Sequence, residues 1–334
     1  MGTGRSFFAR ASVTALCALV GTTGAALVAG GTAAAATVVV NCPANNLQSA
    51  INAAPSGSTL RVSGTCVGNF TIPAGKNLTL VGPAVLDGNR HGVVLTVAPG
   101  ATATVEMMTI EHGHGDKLAR AGGILNDGNL TLVSTTVTDN DGFDVGGIAN
   151  DAGTLAIKTS TISANFDGAV LNDHNGVAQV SSSTIEDNFG IVGAGFLNQS
   201  GSLTVVSSVI RHNSSAGGGG IFNQNGATLL VQGSQIDHLT AVAGGVVSQG
   251  GGVENLGVAT ITSTQITGNE ADQGGGIMNN RQGHLTLTSS MLTQNRATGG
   301  AGALGIGGGV LNQGTFAQAA SLIVNNIPDN CVGC

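Results

Sequence analysis

The sequence predicts an all-β chain wound as a single-stranded parallel β-helix. Three observations carry that prediction: a repeat close to 25 residues, period-two alternation inside it, and polar residues at fixed phases. Aligned on Val137, Ile162, Ile185, Ile210, Ile236, Ile266, Leu292 and Ile323, successive repeats measure 25, 23, 25, 26, 30, 26 and 31 residues. Five residues before these anchors stand Leu132, Ile157, Val180, Val205, Val231, Ile261, Leu287 and Gln318. Seven before them stand Leu130, Leu155, Ala178, Leu203, Leu229, Ala259, Leu285 and Phe316. Such alternation marks a strand with one buried face.

Two residues before every anchor is a hydroxyl: Thr135, Ser160, Ser183, Ser208, Ser234, Thr264, Ser290 and Ser321. Three after it come Asn140, Asn165, Asn188, Asn213, Leu239, Asn269, Asn295 and Asn326, and Gly-rich turns then lead to Asn126, Asn150, Asn172, Asn198, Asn223, Asn255, Asn279 and Asn312. A helical repeat requires a period near 3.6 and avoids so much Gly and Ser, so strands are the better assignment. Each coil then stacks on the next at about 4.8 Å. Asparagine amides of equal phase bond along the stack while satisfying bend carbonyls.

The Gly218–Asn223 and Ile210–Asn213 elements, G-G-G-I-x-N and I-x-x-N, resemble those of right-handed parallel β-helix repeat proteins of the pectin-lyase-like superfamily. They are also similar to the repeats of bacterial polymorphic outer-membrane proteins, with Ile or Leu where Phe is usual. Leu47 to Gly57 resembles the short amphipathic helix that caps such rods. The resemblance implies a right-handed winding, in line with the bias of parallel crossovers, and covers nearly all of the chain after its leader. It is specific for fold, because lyases, hydrolases, adhesins and structural proteins share this architecture. The expected organisation is a signal peptide over 1–36, an N-terminal cap over 37–58, the β-helix over 59–326 and a C-terminal cap segment over 327–334. The longer intervals place extra loops around Gln249–Gly252 and Gly299–Gly307.

The leader is read from Arg5 and Arg10, the apolar stretch from Val13 to Val28 and the small residues Ala34-Ala35-Ala36. A membrane anchor is the competing reading, since that stretch approaches the about 18 residues needed to span. Removing the leader leaves nine cations against 18 acids, which disfavours nucleic acid and anionic lipid as partners. Three Lys against eight Arg, with abundant Ala and Gly, points to a bacterial source. Cys42, Cys66, Cys331 and Cys334 read as disulfides in an oxidising compartment. In a rod, only Cys42 with Cys66 and Cys331 with Cys334 are within reach.

Stacking makes residues of equal phase lateral neighbours about 5 Å apart. One residue after the anchor stand Glu186, Arg211 and Asp237, and two after it Asp187, His212 and His238. As an outward ladder of acid, base and acid they help set strand register. As chemistry, the histidines are general acid or base groups, or metal ligands with Asp187. Glu111, His112, His114 and Asp116 form a second cluster, in which Gly113-His114-Gly115 resembles a short element of polygalacturonases. The aspartate-bearing motifs and the Arg-Ile-Lys element of that family are missing. Acids also gather at Asp139, Asp141, Asp144, Asp151, Asp167 and Asp173. Asp139, Asp141 and Asp167 are the calcium candidates among them, since calcium takes about six to eight oxygens. Their spacing fits no EF-hand or nonapeptide repeat, and Asx turns are the plainer account.

Sugar grooves commonly use aromatic platforms, and the chain has nine Phe but no Trp or Tyr. Its scattered cations also weigh against a lyase acting on acidic polysaccharides. The expected function is a secreted, noncatalytic β-helix rod, a structural or adhesive module with an extracellular protein or polysaccharide as partner. Nucleic acid, a membrane span beyond the leader and any cofactor other than calcium are not expected. The alternative is a polysaccharide lyase or glycoside hydrolase of the same fold.

Overall fold

Alternation becomes burial in the computed structural model, which describes residues 34–117, 120–241, 247–300, 302 and 304–334. In the strand Asn129–Val133, Leu130 and Leu132 are buried while Asn129, Thr131 and Val133 face outward. The phases read from the sequence are the register partners of a parallel ladder. Leu130 pairs with Leu155, and the row continues through Ala178, Leu203, Leu229, Ala259 and Leu285 to Phe316. The anchors pair likewise from Val137 to Ile323.

Three sheets wall the rod among the described residues. A 20-stranded sheet holds a five-residue and a three-residue strand from each regular coil, an 11-stranded sheet carries the second asparagine series, and a four-stranded sheet contains Ser214–Ser215, Thr240–Ala241, Glu270–Ala271 and Arg296–Ala297. The chain is a parallel β-solenoid of about 11 turns, right-handed in type.

Each coil bends twice around its short strand, and both bends use left-handed backbone. Ser134, Thr159, Ser182 and Ser207 hold φ of 47–49° before it, and Asp139, Ala164, Asp187 and His212 hold φ of 53–56° after it. Asn, Asp and His are enriched in that conformation, so the second row draws polar residues for backbone reasons alone.

The polar ladders satisfy these bends from within. Ser160 N–H donates to Ser183 Oγ at 3.1 Å, and Ser183 Oγ donates to Ser181 O at 2.8 Å. Asn140 Nδ2 donates to Asn165 Oδ1 at 3.0 Å, Asn165 to Asn188 at 3.0 Å and Asn188 to Asn213 at 2.8 Å. Leu239 interrupts this row and is fully buried, its N–H still donating to Asn269 Oδ1 at 3.1 Å. The second row runs from Asn126 to Asn312 with donor–acceptor distances of 2.6–2.9 Å.

At one end the helix Leu47–Ala53 buries Leu47 and Ile51 against the core. Its Asn46 N-cap accepts from Ser49 N–H at 2.8 Å. The strand Thr37–Asn41, just before it, is already in parallel register with Thr59–Ser63. Disulfides join Cys42 to Cys66 and Cys331 to Cys334, with Cα separations of 5.1 and 6.0 Å. Among the described residues no helix is long and apolar enough to cross a membrane.

The signal peptide falls almost wholly outside the described residues. The extra loop placed at Gln249–Gly252 is instead part of the wall: Gly218 N–H donates to Gln249 O at 2.9 Å, and Gln249 is bridged to both Gly217 and Gln273. Glycine is needed there for close approach, since a Cβ on Gly251 would meet Gly275 and Glu270 carbonyl oxygens.

Candidate functional site

The six-residue ladder singled out in the sequence is assembled as its phases imply. Arg211 lies over Glu186, with Nη2 and Nε 2.6 and 2.8 Å from Oε2. His212 Nδ1 is 3.8 Å from Asp187 Oδ1, its ring lies 5.7 Å from that of His238, and His238 Nδ1 is 3.7 Å from Asp237 Oδ2. Asp187, His212 and His238 are more than half exposed and stand on the open outer wall. Asp237 is buried; its Oδ2 accepts from Gln235 Nε2, whereas its Oδ1 has no hydrogen-bond partner among the described residues.

A concave site lies elsewhere, between the outer face of the 11-stranded sheet and the bends that lead into it. Val170 and Phe196 pack in the core, whereas Leu171, itself buried, joins Ala121, Val145 and Ala149 in a second apolar cluster with Leu197 partly buried against it. Gly193, at φ 57°, folds the preceding bend back toward this face, where a Cβ would collide with the Phe196 carbonyl oxygen. The result is a groove of about 410 Å³ lined by Arg120, Phe143, Asp144, Asp167, Leu171, Ile191, Val192, Leu197, Gln199 and Gln224.

Three phenylalanines stand at or beside this groove with 54–57% of their surface exposed: Phe143, Phe166 and Phe189. Phe166 precedes the lining residue Asp167, and its ring meets that of Phe189 edge-on at 6.5 Å. Lys117 Nζ lies 5.5 Å from the Phe143 ring centroid. The composition argued against aromatic platforms. Phe166 and Phe189 are bridged partners at the same position of neighbouring bends, and Phe143 stands between the bridged residues Asp141 and Val145 of another bend.

The charges of the groove are largely committed to one another. Arg120 donates to Asp144 at 2.7 Å, Asp173 at 2.9 Å and Asp151 at 3.1 Å, tying successive coils. Burial by itself lowers the Arg120 guanidinium, but these three carboxylates outweigh it and hold it well above its ordinary value. Burial likewise pushes Asp173 up, but hydrogen bonds from Ser200, Arg120 and the His174 N–H hold it below the usual carboxylate range. Asp167 is different. Burial, reinforced by the charge of Asp141, raises its carboxyl above the ordinary value.

The calcium candidates separate. Asp139 contacts Arg90 Nη2 at 2.9 Å and His112 Nε2 at 3.1 Å, Asp141 contacts His114 Nδ1 at 3.0 Å, and Asp167 faces the groove. Among the described residues, three donors able to hold one ion converge at Asp87, Glu111 and His112. Asp116 offers its carbonyl to the Arg120 N–H at 3.0 Å. Sequence reasoning found Glu111 and His112 but missed Asp87 and the central place of Arg120. Leu86 does share the anchor phase with Ile110, yet a register shift between Val81 and Ala84 hides that phase in the spacing.

No protein-family model and no curated protein sequence matches the chain. Two solved structures are similar to it in backbone course. One is pectate lyase Pel9A, at 14% identity over 91% of this chain and 80% of that one, with a TM-score of 0.44. The other is an alginate lyase from Paenibacillus sp. str. FPU-7, at 14% identity over 89% and 97%, with a TM-score of 0.45. The fold is read from the strand register above, and this likeness adds nothing about chemistry.

Proposed function

We propose that the chain is an extracellular β-helix rod that binds an uncharged polysaccharide strand in the groove beside Phe143, Phe166 and Phe189 without cleaving it. One observation carries the reading: the groove's cation is locked by three carboxylates, so aromatic, aliphatic and amide groups and the Asp167 carboxyl remain to meet a ligand. Exposed rings offer apolar sugar faces a platform, while Gln199 and Gln224 offer donors and acceptors to hydroxyls. Carboxylates along the same wall disfavour a polyanion. A lyase also needs a base, and Arg120 holds its proton more tightly than a free arginine.

A second reading, hydrolysis of the bound strand, is favoured by Asp167. A carboxyl with a raised pKa, sharing a groove with the Arg120-paired Asp144, has the character of a general acid beside a second carboxyl group. The test is titration of the purified chain with neutral and acidic polysaccharides, assayed for binding, new reducing ends and the ultraviolet absorbance of an unsaturated lyase product. The binding reading expects a neutral polysaccharide to be retained, with affinity falling about tenfold in Phe166→Ala and in Phe189→Ala. New reducing ends that vanish in Asp167→Asn replace it by hydrolysis, unsaturated products replace it by elimination, and no retention of any polysaccharide refutes it.

A further inference from the structure

Away from the groove, the short ladder between neighbouring coils brings together donors of a different kind. Asp87 and Glu111 are register partners at the ends of parallel strands, so their carboxylates project side by side. His112 follows at φ 55°, which turns its ring back across that pair. Its Nδ1 is 3.1 Å from Asp87 Oδ1 and 3.8 Å from Glu111 Oε1, and one donor atom from each residue lies within 4.8 Å of the others. The other ring nitrogen, Nε2, is 3.1 Å from Asp139 Oδ2, and Arg90 Nη2 holds that same oxygen at 2.9 Å.

A neutral imidazole has one proton. When it sits on Nε2 and is donated to Asp139, Nδ1 turns its lone pair toward two carboxylates. Three electron-rich donors then face one point, an arrangement stabilised by a cation. Metal–ligand bonds of about 2.0–2.2 Å put neighbouring donors roughly 3–3.5 Å apart, which these partly exposed side chains reach by small rotations.

We propose that Asp87, Glu111 and His112 bind one divalent first-row transition ion, with Asp139 as a positioning residue that fixes the imidazole tautomer. An imidazole ligand suits zinc and its neighbours and is foreign to calcium and magnesium, which take oxygen donors. Three protein ligands leave a coordination position open to water. The ion ties the strands ending at Asp87 and Glu111, so occupancy stabilises the folded chain by mass action.

The experiment is isothermal titration of the full chain with zinc chloride and, separately, calcium chloride, with circular dichroism confirming the fold of each variant. Zinc should bind at one site per chain that is lost in His112→Asn, a change that keeps a residue suited to left-handed backbone. Glu111→Gln should also abolish the site, and Asp139→Asn should weaken it by about 10–100-fold although Asp139 is no ligand. Asp187→Asn, on the separate outer ladder, should leave it unchanged. Calcium should bind there at least about tenfold more weakly. The proposal is overturned by zinc stoichiometry and affinity that survive His112→Asn, by calcium binding more tightly than zinc, or by no zinc uptake in the folded wild-type chain. That last result assigns His112 a purely structural place, bridging Asp87, Glu111 and Asp139.

Discussion

Replacing Asn188 by Ala removes the middle of the first asparagine row, and its cost follows from the bonds that disappear. Asn188 is 1% exposed. Its Nδ2 donates to Ile162 O at 3.0 Å, Glu186 O at 2.9 Å and Asn213 Oδ1 at 2.8 Å, and its Oδ1 accepts from Asn165 N–H and Nδ2, both at 3.0 Å. Several partners have other bonds: Asn165 Nδ2 keeps Val137 O and Ser163 O, and Asn213 Oδ1 keeps the Asn188 N–H. Glu186 O also accepts from the Ala164 N–H. The Asn165 N–H and one acceptor site on Ile162 O are left without a partner. At about 1–3 kcal/mol for each buried group left unmade, the variant should lose about 3 kcal/mol. Urea unfolding followed by circular dichroism should show a lower midpoint at unchanged slope. Thr154→Ala, on the exposed face of a neighbouring strand, should shift stability by less than about 0.5 kcal/mol. Equal midpoints for the two variants would show that the amide row does not hold the coils.

Burial pushes the Glu254 carboxyl up to about 7 from 4.5, against an opposing hydrogen bond from Asn280. With the folded value raised, its contribution to stability is complete below the unfolded value and is lost as pH rises through about 7. Glu254→Gln should therefore be neutral near about pH 4 and stabilising near about pH 8, by on the order of 2–3 kcal/mol in thermal unfolding. Arg120→Ala removes the cation shared by Asp144, Asp151 and Asp173, leaving Asp173 with Ser200 and His174 and Asp151 with His174, and should cost about 2–4 kcal/mol at neutral pH. Because Asp173 is held below its ordinary value, that contribution is present above 3.8 and is lost as pH falls through the folded value, so the variant and wild type should converge in acid. Peptide mapping without reduction should recover Cys42 linked to Cys66 and Cys331 linked to Cys334, and a link between the two pairs would contradict the rod.

Strand phase, register and both asparagine rows were legible in the sequence because a solenoid is close to one-dimensional. When each coil touches only its neighbours, equal phase means lateral contact, and spacing alone places Glu186 beside Arg211 or Asn188 beside Asn213. The ladder stacks as its equal phases imply, and the left-handed bend on which Asp187, His212 and His238 sit favours Asp and His on backbone grounds. Tertiary structure alone decided what breaks the repeat. Arg120 lies before the first aligned coil, yet its long side chain reaches Asp144, Asp151 and Asp173 on later ones. Asp87 reaches His112 only because a register shift restores the anchor phase after Pro83. Composition counts phenylalanines but cannot say that Phe143, Phe166 and Phe189 face solvent beside a groove, since that depends on how each bend folds back over the sheet. Periodic features are set by local geometry repeated coil after coil, whereas the groove and the Asp87 cluster arise where side chains cross between phases, which no spacing records.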